Sequence, residues 1–151
     1  MANPTPVAER PLHARPDALA AVALGGVIGS TLRYLTGLAL PHQPSQWPTA
    51  TLLVNLLGAF FLGLLLQWLL ELGPDAGRHR TLRLCLGTGL LGSFTTYSAL
   101  ALDVVHLLDS GRPGLAAGYA AASVVAGLLA AGLGVLVGAR AGRAPHPEEA
   151  A

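Results

Sequence analysis

Lysine is missing from this chain altogether, and cysteine occurs once. Charged residues of either sign make up only 11% of the 151 positions, against 52% that are hydrophobic. A lone cysteine excludes an internal disulfide, and Cys85, set inside an apolar run, reads as a packed thiol and not as a metal or redox centre. A formal net charge of +1 excludes the broad basic surface that a nucleic-acid partner would need. The histidines, among them His42 and His79, lie in tails, loops or a helix end with no nucleophile or second ligand at useful spacing, so nothing points to an enzyme. Carboxylates are absent from the deep parts of the first two apolar runs, which removes the usual proton carrier of a proton-coupled transporter.

What the chain does have is apolar residues in blocks. Four segments, about 18–40, 49–72, 82–108 and 115–139, are each long enough to cross a bilayer, which takes roughly 20 residues. A soluble four-helix bundle would carry charge at helical spacing along one face. Here the charges gather between the segments and at the ends. The first segment follows Arg10 and Arg15 like a signal peptide, but exceeds the ~7–15 residues of a signal core and is expected to stay. The expected fold is therefore an all-α integral membrane protein with four transmembrane helices per chain. Residues 1–17, with four prolines, and 140–151 read as tails. Connections at 41–48, 73–80 and 109–113 are short and rich in turn residues, which makes consecutive helices antiparallel neighbours. Both termini then share one side with Arg10, Arg15, Arg78, Arg80, Arg83, Arg140 and Arg143, against Arg33 and Arg112 on the other. The positive-inside rule puts that richer side in the cytoplasm.

Four helices have too little bulk to wall a solvated path alone, so a symmetric oligomer is expected. Small residues recur every fourth position in the last helix, at Gly114, Gly118, Ala122, Ala126, Ala130, Gly134 and Gly138, and suit close helix approach. Gly25 and Gly29 form a second such pair, equally open to packing within the chain.

The third segment carries the most unusual stretch, GTGLLGSFTTYSAL at 87–100, inside a run from Leu84 to Leu102 without a formal charge. Gly87, Gly89 and Gly92 invite a helix break near mid-membrane, where channels and transporters build ion sites from freed backbone groups. Ser93 or Thr95 is expected to cap the helix beyond it, with Phe94, Tyr97 and Ser98 sharing one face. Other polar residues at depth are Ser30, Thr31, Arg33, Thr51, Asn55, Gln67, Tyr119 and Ser123. In lipid each needs a partner or a wet cavity, although Thr31 and Thr88 are expected simply to bond back to helix carbonyls. The inventory is mostly uncharged donors, which suits a small anion that must enter and leave again.

Taken together, GGVIGSTLRY (25–34), TLLVNLLGAFFLG (51–63), GLLGSFTTYS (89–98) and YAAASVVAGLLAAGLG (119–134) resemble the four spans of the CrcB/Fluc family of fluoride ion channels. The resemblance implies passive, fluoride-selective export through pores in an antiparallel dimer of a bacterial inner membrane. It implies pore roles for Thr51, Asn55, Phe94, Tyr97, Ser98 and Ser123, a vestibule position for Arg33, and a structural sodium ion on backbone carbonyls mapped to Gly89 and Gly92. Tyr97 stands where phenylalanine is usual, Ala50 where glycine is frequent and Asp103 where glutamate is frequent. Seven arginines against two favour one insertion orientation, so the partner is either a second copy or an oppositely oriented paralogue. The alternatives are a small four-helix multidrug-type transporter, which would need an acidic residue deep in its first helix, and a noncatalytic membrane assembly subunit.

Overall fold

A computed structural model describes residues 15–142. Four spans long and apolar enough to cross a membrane account for nearly all of it: Pro16–Ala39, Thr49–Glu71, Gly77–Asp109 and Pro113–Gly142. The first is helix α1, opened by a proline at its first turn and an Arg15–Asp17 ion pair of 2.8 Å. The second is α2, Thr49–Glu71. The third is composite, with α3 (Gly77–Leu82), a π-helical segment (Arg83–Leu91), the short α4 (Gly92–Phe94) and α5 (Tyr97–Asp109) in succession. The fourth is α6, Pro113–Gly142. Pro16 and Asp17, expected in the N-terminal tail, already belong to α1, as residues 140–142 belong to α6; the rest of both expected tails lies outside the described residues.

The turn into α6 shows how sequence sets these connections. Gly111 takes φ +70°, Arg112 N–H donates to the Leu107 carbonyl and Gly111 N–H to that of Leu108, both at 2.9 Å. That pattern closes a helix only with a left-handed residue after it, and Pro113 then starts the next.

Close packing pairs spans that are not consecutive. α1 runs beside the third span in the same direction, because Gly25 and Gly29 leave room for the Cys85 and Leu90 carbonyls while Gly89 lies against Val22 and Gly25. α6 runs beside α2 in the same way, with Gly134 and Gly138 against the Phe60 and Leu64 carbonyls and Gly63 against Ala131. These contacts correct one expectation. Gly134 and Gly138 of the small-residue seam are buried inside the chain and offer nothing to a partner, whereas Gly114 and Gly118 have no neighbour at the Cβ position. Gly25 and Gly29 likewise serve packing within the chain.

Parallel pairing places residues 15, 71–80 and 142 at one end and the 40–48 and 110–112 turns at the other. Buried apolar clusters are small, one around Leu65, Leu69 and Leu91, another around Leu107, Ala116 and Tyr119. Large apolar side chains such as Leu24, Val27, Leu128 and Leu129 stay more than 60% exposed, as lipid or a partner surface would require. The chain is a multi-pass membrane protein.

Candidate functional site

The third span does break, but not at its glycines. Gly87, Gly89 and Gly92 all remain helical, and the backbone becomes extended at Thr95 (φ −75°, ψ 158°) and Thr96 (φ −153°, ψ 120°). Gly89 instead permits the close approach of α1, Gly87 faces Leu62 and Leu65 of α2, and in the wider π-helical turn Gly92 N–H donates to the Gly87 and Gly89 carbonyls. Neither Ser93 nor Thr95 caps the helix that follows. Thr96 does, its Oγ1 accepting from Ala99 N–H at 3.1 Å, while Thr95 Oγ1 donates back to the Leu91 carbonyl.

An extended pair inside a membrane needs outside partners for its backbone. Asn55 supplies them for Thr96. Its Nδ2 donates to the Thr96 carbonyl at 3.0 Å, and its Oδ1 accepts from Thr96 N–H at 2.8 Å. Arg33 reaches the Thr95 carbonyl at 3.5 Å. Arg33, expected in a vestibule, lies beside the break because parallel packing brings α1 level with Thr95. There Arg33 lines a small cavity of about 90 Å³ with Thr51, Val54 and Thr96.

Asn55 also lines a groove of about 360 Å³ together with Gly58, Thr95, Thr96, Tyr97 and Leu100. The groove is open along one side, and Tyr97 is 82% exposed on it. Leu100 was not singled out from the sequence; it lies one turn beyond Tyr97 on the same face of α5, and that spacing was the available signal. Ser98 is exposed beside the break, its Oγ 3.2 Å from Thr96 Oγ1.

Phe94 lies beside Gly58 of this groove and faces a second cavity. It lines a wholly apolar cavity of about 370 Å³ with Leu32, Leu57, Phe61, Leu86 and Leu90. Its expected face with Tyr97 and Ser98 assumed a continuous helix, and the two extended residues between Phe94 and Tyr97 destroy the i, i+3 relation.

Thr51 lies one helical turn before Asn55 and is buried on the same side of α2, toward α6. There the Thr51 and Ser123 hydroxyls both bear on the Tyr119 hydroxyl. Tyr119 is fully buried and donates to Asp103 Oδ2 at 3.3 Å, with its ring edge-on to Trp47 at 5.5 Å. Asp103 in turn meets His42 Nε2 at 3.5 Å. Ser123 is 8% exposed, and its Oγ closes no hydrogen bond of good geometry with any described group. Asp103, Tyr119 and His42 were noticed in the sequence only singly. Nothing in their spacing announced that three separate segments would bring them together.

The two glycines assigned to sodium differ in fitness. Thr96 N–H, the i+4 donor that a continuous helix would give the Gly92 carbonyl, is turned to Asn55, and Gly92 is exposed. Gly92 therefore suits an oxygen ligand for a hard monovalent cation. The Gly89 carbonyl already accepts the Gly92 N–H and keeps one lone pair, on a residue buried against α1. Among the described residues no group of three or more His, Cys, Asp or Glu side chains is arranged to hold a metal.

Two groups of hydrogen-bonding side chains thus lie along α2, Thr51 with Tyr119 and Ser123, and one turn further Asn55 with Thr96. A family model described as CrcB-like protein, Camphor Resistance (CrcB), matches residues 20–135. The chain is 44% identical over 120 residues to the fluoride-specific ion channel FluC 1 of Cutibacterium acnes, covering 80% of this chain and 84% of that one. It is 40% identical over 132 residues to the fluoride-specific ion channel FluC 2 of Leifsonia xyli, with 87% and 90% covered. With the fluoride-specific ion channel FluC of Hyphomonas neptunium the figures are 43% over 120 residues, 79% and 93%.

Proposed function

The chain belongs to the CrcB-like family, and from that premise we propose that it is a fluoride-selective channel releasing fluoride passively from a bacterial cytoplasm. The observation that carries the mechanism is the double bond between Asn55 and the broken backbone at Thr96. An amide side chain has two N–H donors. One is consumed by the Thr96 carbonyl, and the other is left for the groove that Asn55 lines. The same residue therefore holds the break open and offers an uncharged donor beside it.

Fluoride is small and strongly hydrated, so it crosses only where close-fitting donors replace water, and it leaves only where none binds it too firmly. The hydroxyls of Thr51, Ser123 and Ser98 meet both needs, whereas Tyr119 has given its one O–H to Asp103 and positions its neighbours. Arg33 adds positive potential from the far side of the Thr95 carbonyl without standing in the groove. The Ser123 hydroxyl, buried beside the Tyr119 hydroxyl without a bond of good geometry to it, is a donor within reach of the same path.

In this reading the groove is half a pore. Its open side and the exposed Tyr97 ring call for a second surface, supplied by an antiparallel partner, either a second copy or an oppositely oriented paralogue. The arginine-rich end, and with it both termini, faces the cytoplasm of the inner membrane in the favoured orientation. A structural sodium ion would rest on the Gly92 carbonyl and supply fixed positive charge near the break. The multidrug-type alternative finds no support in α1, whose carboxylate, Asp17, sits in the first turn and pairs with Arg15.

The test is efflux from liposomes holding the purified protein, alone and with its genomic neighbour. Fluoride is expected to leave far faster than chloride. A folded, verified dimer that releases neither, or both equally, refutes the reading.

A further inference from the structure

At the end of the molecule remote from the 40–48 turn, the spans leave a cleft of about 480 Å³ that the channel mechanism does not use. Its walls come from the start of α1 and from α3, two segments on different spans. Polar lining is supplied by Arg15, Asp17, Arg78, Arg80 and Thr81; apolar lining by Ala18, Leu82 and Leu84. Among the described residues three arginines thus face one carboxylate in the same cleft, and Asp17 is engaged with Arg15 through two hydrogen bonds of 3.3 and 2.8 Å.

The three arginines are held differently. Arg80 donates through Nε and Nη2 to the Asp75 carbonyl at 3.1 and 3.0 Å, which fixes its guanidinium while leaving other N–H donors unused. Arg83, next to the cleft, is tied to Asp75 at 2.9 Å and so draws that carboxylate away. Arg78 is exposed and makes no hydrogen bond or ion pair with any described residue. The cleft therefore combines a guanidinium fixed by the backbone and one without a partner among the described residues, the donors that grip phosphate oxygens, while the Thr81 hydroxyl beside them is given to the Gly77 carbonyl at 3.2 Å.

Depth identifies which phosphate. Arg15 precedes the apolar run of α1 and Arg80 precedes that of the third span, so the cleft stands where hydrocarbon gives way to headgroups. Its apolar lining comes from the first residues of those runs. A site with guanidinium groups above and aliphatic side chains below matches a molecule with a phosphate above and acyl chains below.

We infer that this cleft is a binding site for the headgroup of an anionic phospholipid, gripped by Arg78 and Arg80 and flanked by Arg15 and Thr81. It is separate from the fluoride route, and occupancy would anchor the start of α1 to the start of the third span.

The experiment releases the full-length protein from vesicles of mixed phosphatidylglycerol and phosphatidylcholine with matched chains and counts retained lipids by native mass spectrometry. A basic residue in contact with a bound anionic headgroup is worth about a fivefold change in anionic-lipid retention, whereas one without a bound lipid adds nothing to what survives release from the vesicle. Wild type is expected to retain phosphatidylglycerol over phosphatidylcholine, and Arg78→Gln to cut that preference about fivefold. Arg112→Gln, a change of equal charge at the opposite end, is expected to leave it intact, and excess inorganic phosphate is expected not to displace the lipid. Retention unaltered in Arg78→Gln, an equal loss in Arg112→Gln, or displacement by inorganic phosphate would each overturn the assignment. Fluoride efflux from Arg78→Gln in neutral vesicles should match wild type, which keeps failure of this site distinct from failure of the channel.

Discussion

Asn55→Asp changes one atom type and asks the most of the structure. The carboxylate keeps the bond from Thr96 N–H, now at 2.8 Å, but loses the amide that donates to the Thr96 carbonyl at 3.0 Å. Two acceptors then face each other, and the donor left for the groove is gone as well. A net hydrogen bond is worth about 1 kcal/mol, and the unpaired carbonyl adds roughly 1–3 kcal/mol to the cost of holding the break. The charge matters more for conduction. A carboxylate about 4 Å from a passing anion opposes it by roughly 4 kcal/mol at an effective dielectric constant of about 20. Every 1.4 kcal/mol is tenfold, so fluoride flux should fall by about two to three orders of magnitude. Acidification should restore part of it, because a protonated carboxyl is neutral and regains a donor. Fluoride-electrode recordings of liposome efflux across a pH series, on protein shown by size exclusion to match the parent's assembly, would measure this. Flux equal to wild type at neutral pH refutes the role given to Asn55.

Tyr97→Leu should lower fluoride flux at least tenfold while Phe94→Leu changes it less than about twofold, since only the first lines the Asn55 groove; the reverse order in the same efflux assay would return the route to Phe94. Ser123→Ala should leave thermal stability in detergent within about 0.5 kcal/mol, because the hydroxyl it removes has no well-formed bond to lose, yet reduce flux severalfold. The Arg83 guanidinium, hydrogen-bonded to Asp75, holds that carboxyl below its usual 3.8. A lowered carboxylate pKa means the folded state binds its proton less readily, so the contribution is present above 3.8 and is lost as pH falls through the lower folded value. Wild type should therefore lose more stability across that acid window than Asp75→Asn does, by a small amount given the exposure of the pair.

Much of this protein was legible without coordinates. Blocks of apolar residues dictated four spans because lipid leaves a backbone no partner but itself. The short turn-rich links forced consecutive spans to run antiparallel, but close packing pairs alternate spans, α1 with the third and α2 with α6, which link length could not reveal. Thr31 indeed bonds back to the Val27 carbonyl at 2.8 Å, as its type and spacing suggested. The tertiary structure decided what local rules could not reach. Glycines looked like breakers because isolated helices are weakened by them, but Gly25, Gly29 and Gly89 serve contact between spans, a property of two segments at once. The break moved to Thr95–Thr96 because Asn55, 41 positions earlier in the chain, and Arg33 stand ready to satisfy that backbone and no other. Sequence spacing measures distance along one helix, and it loses its meaning for Phe94 once two extended residues separate that ring from Tyr97.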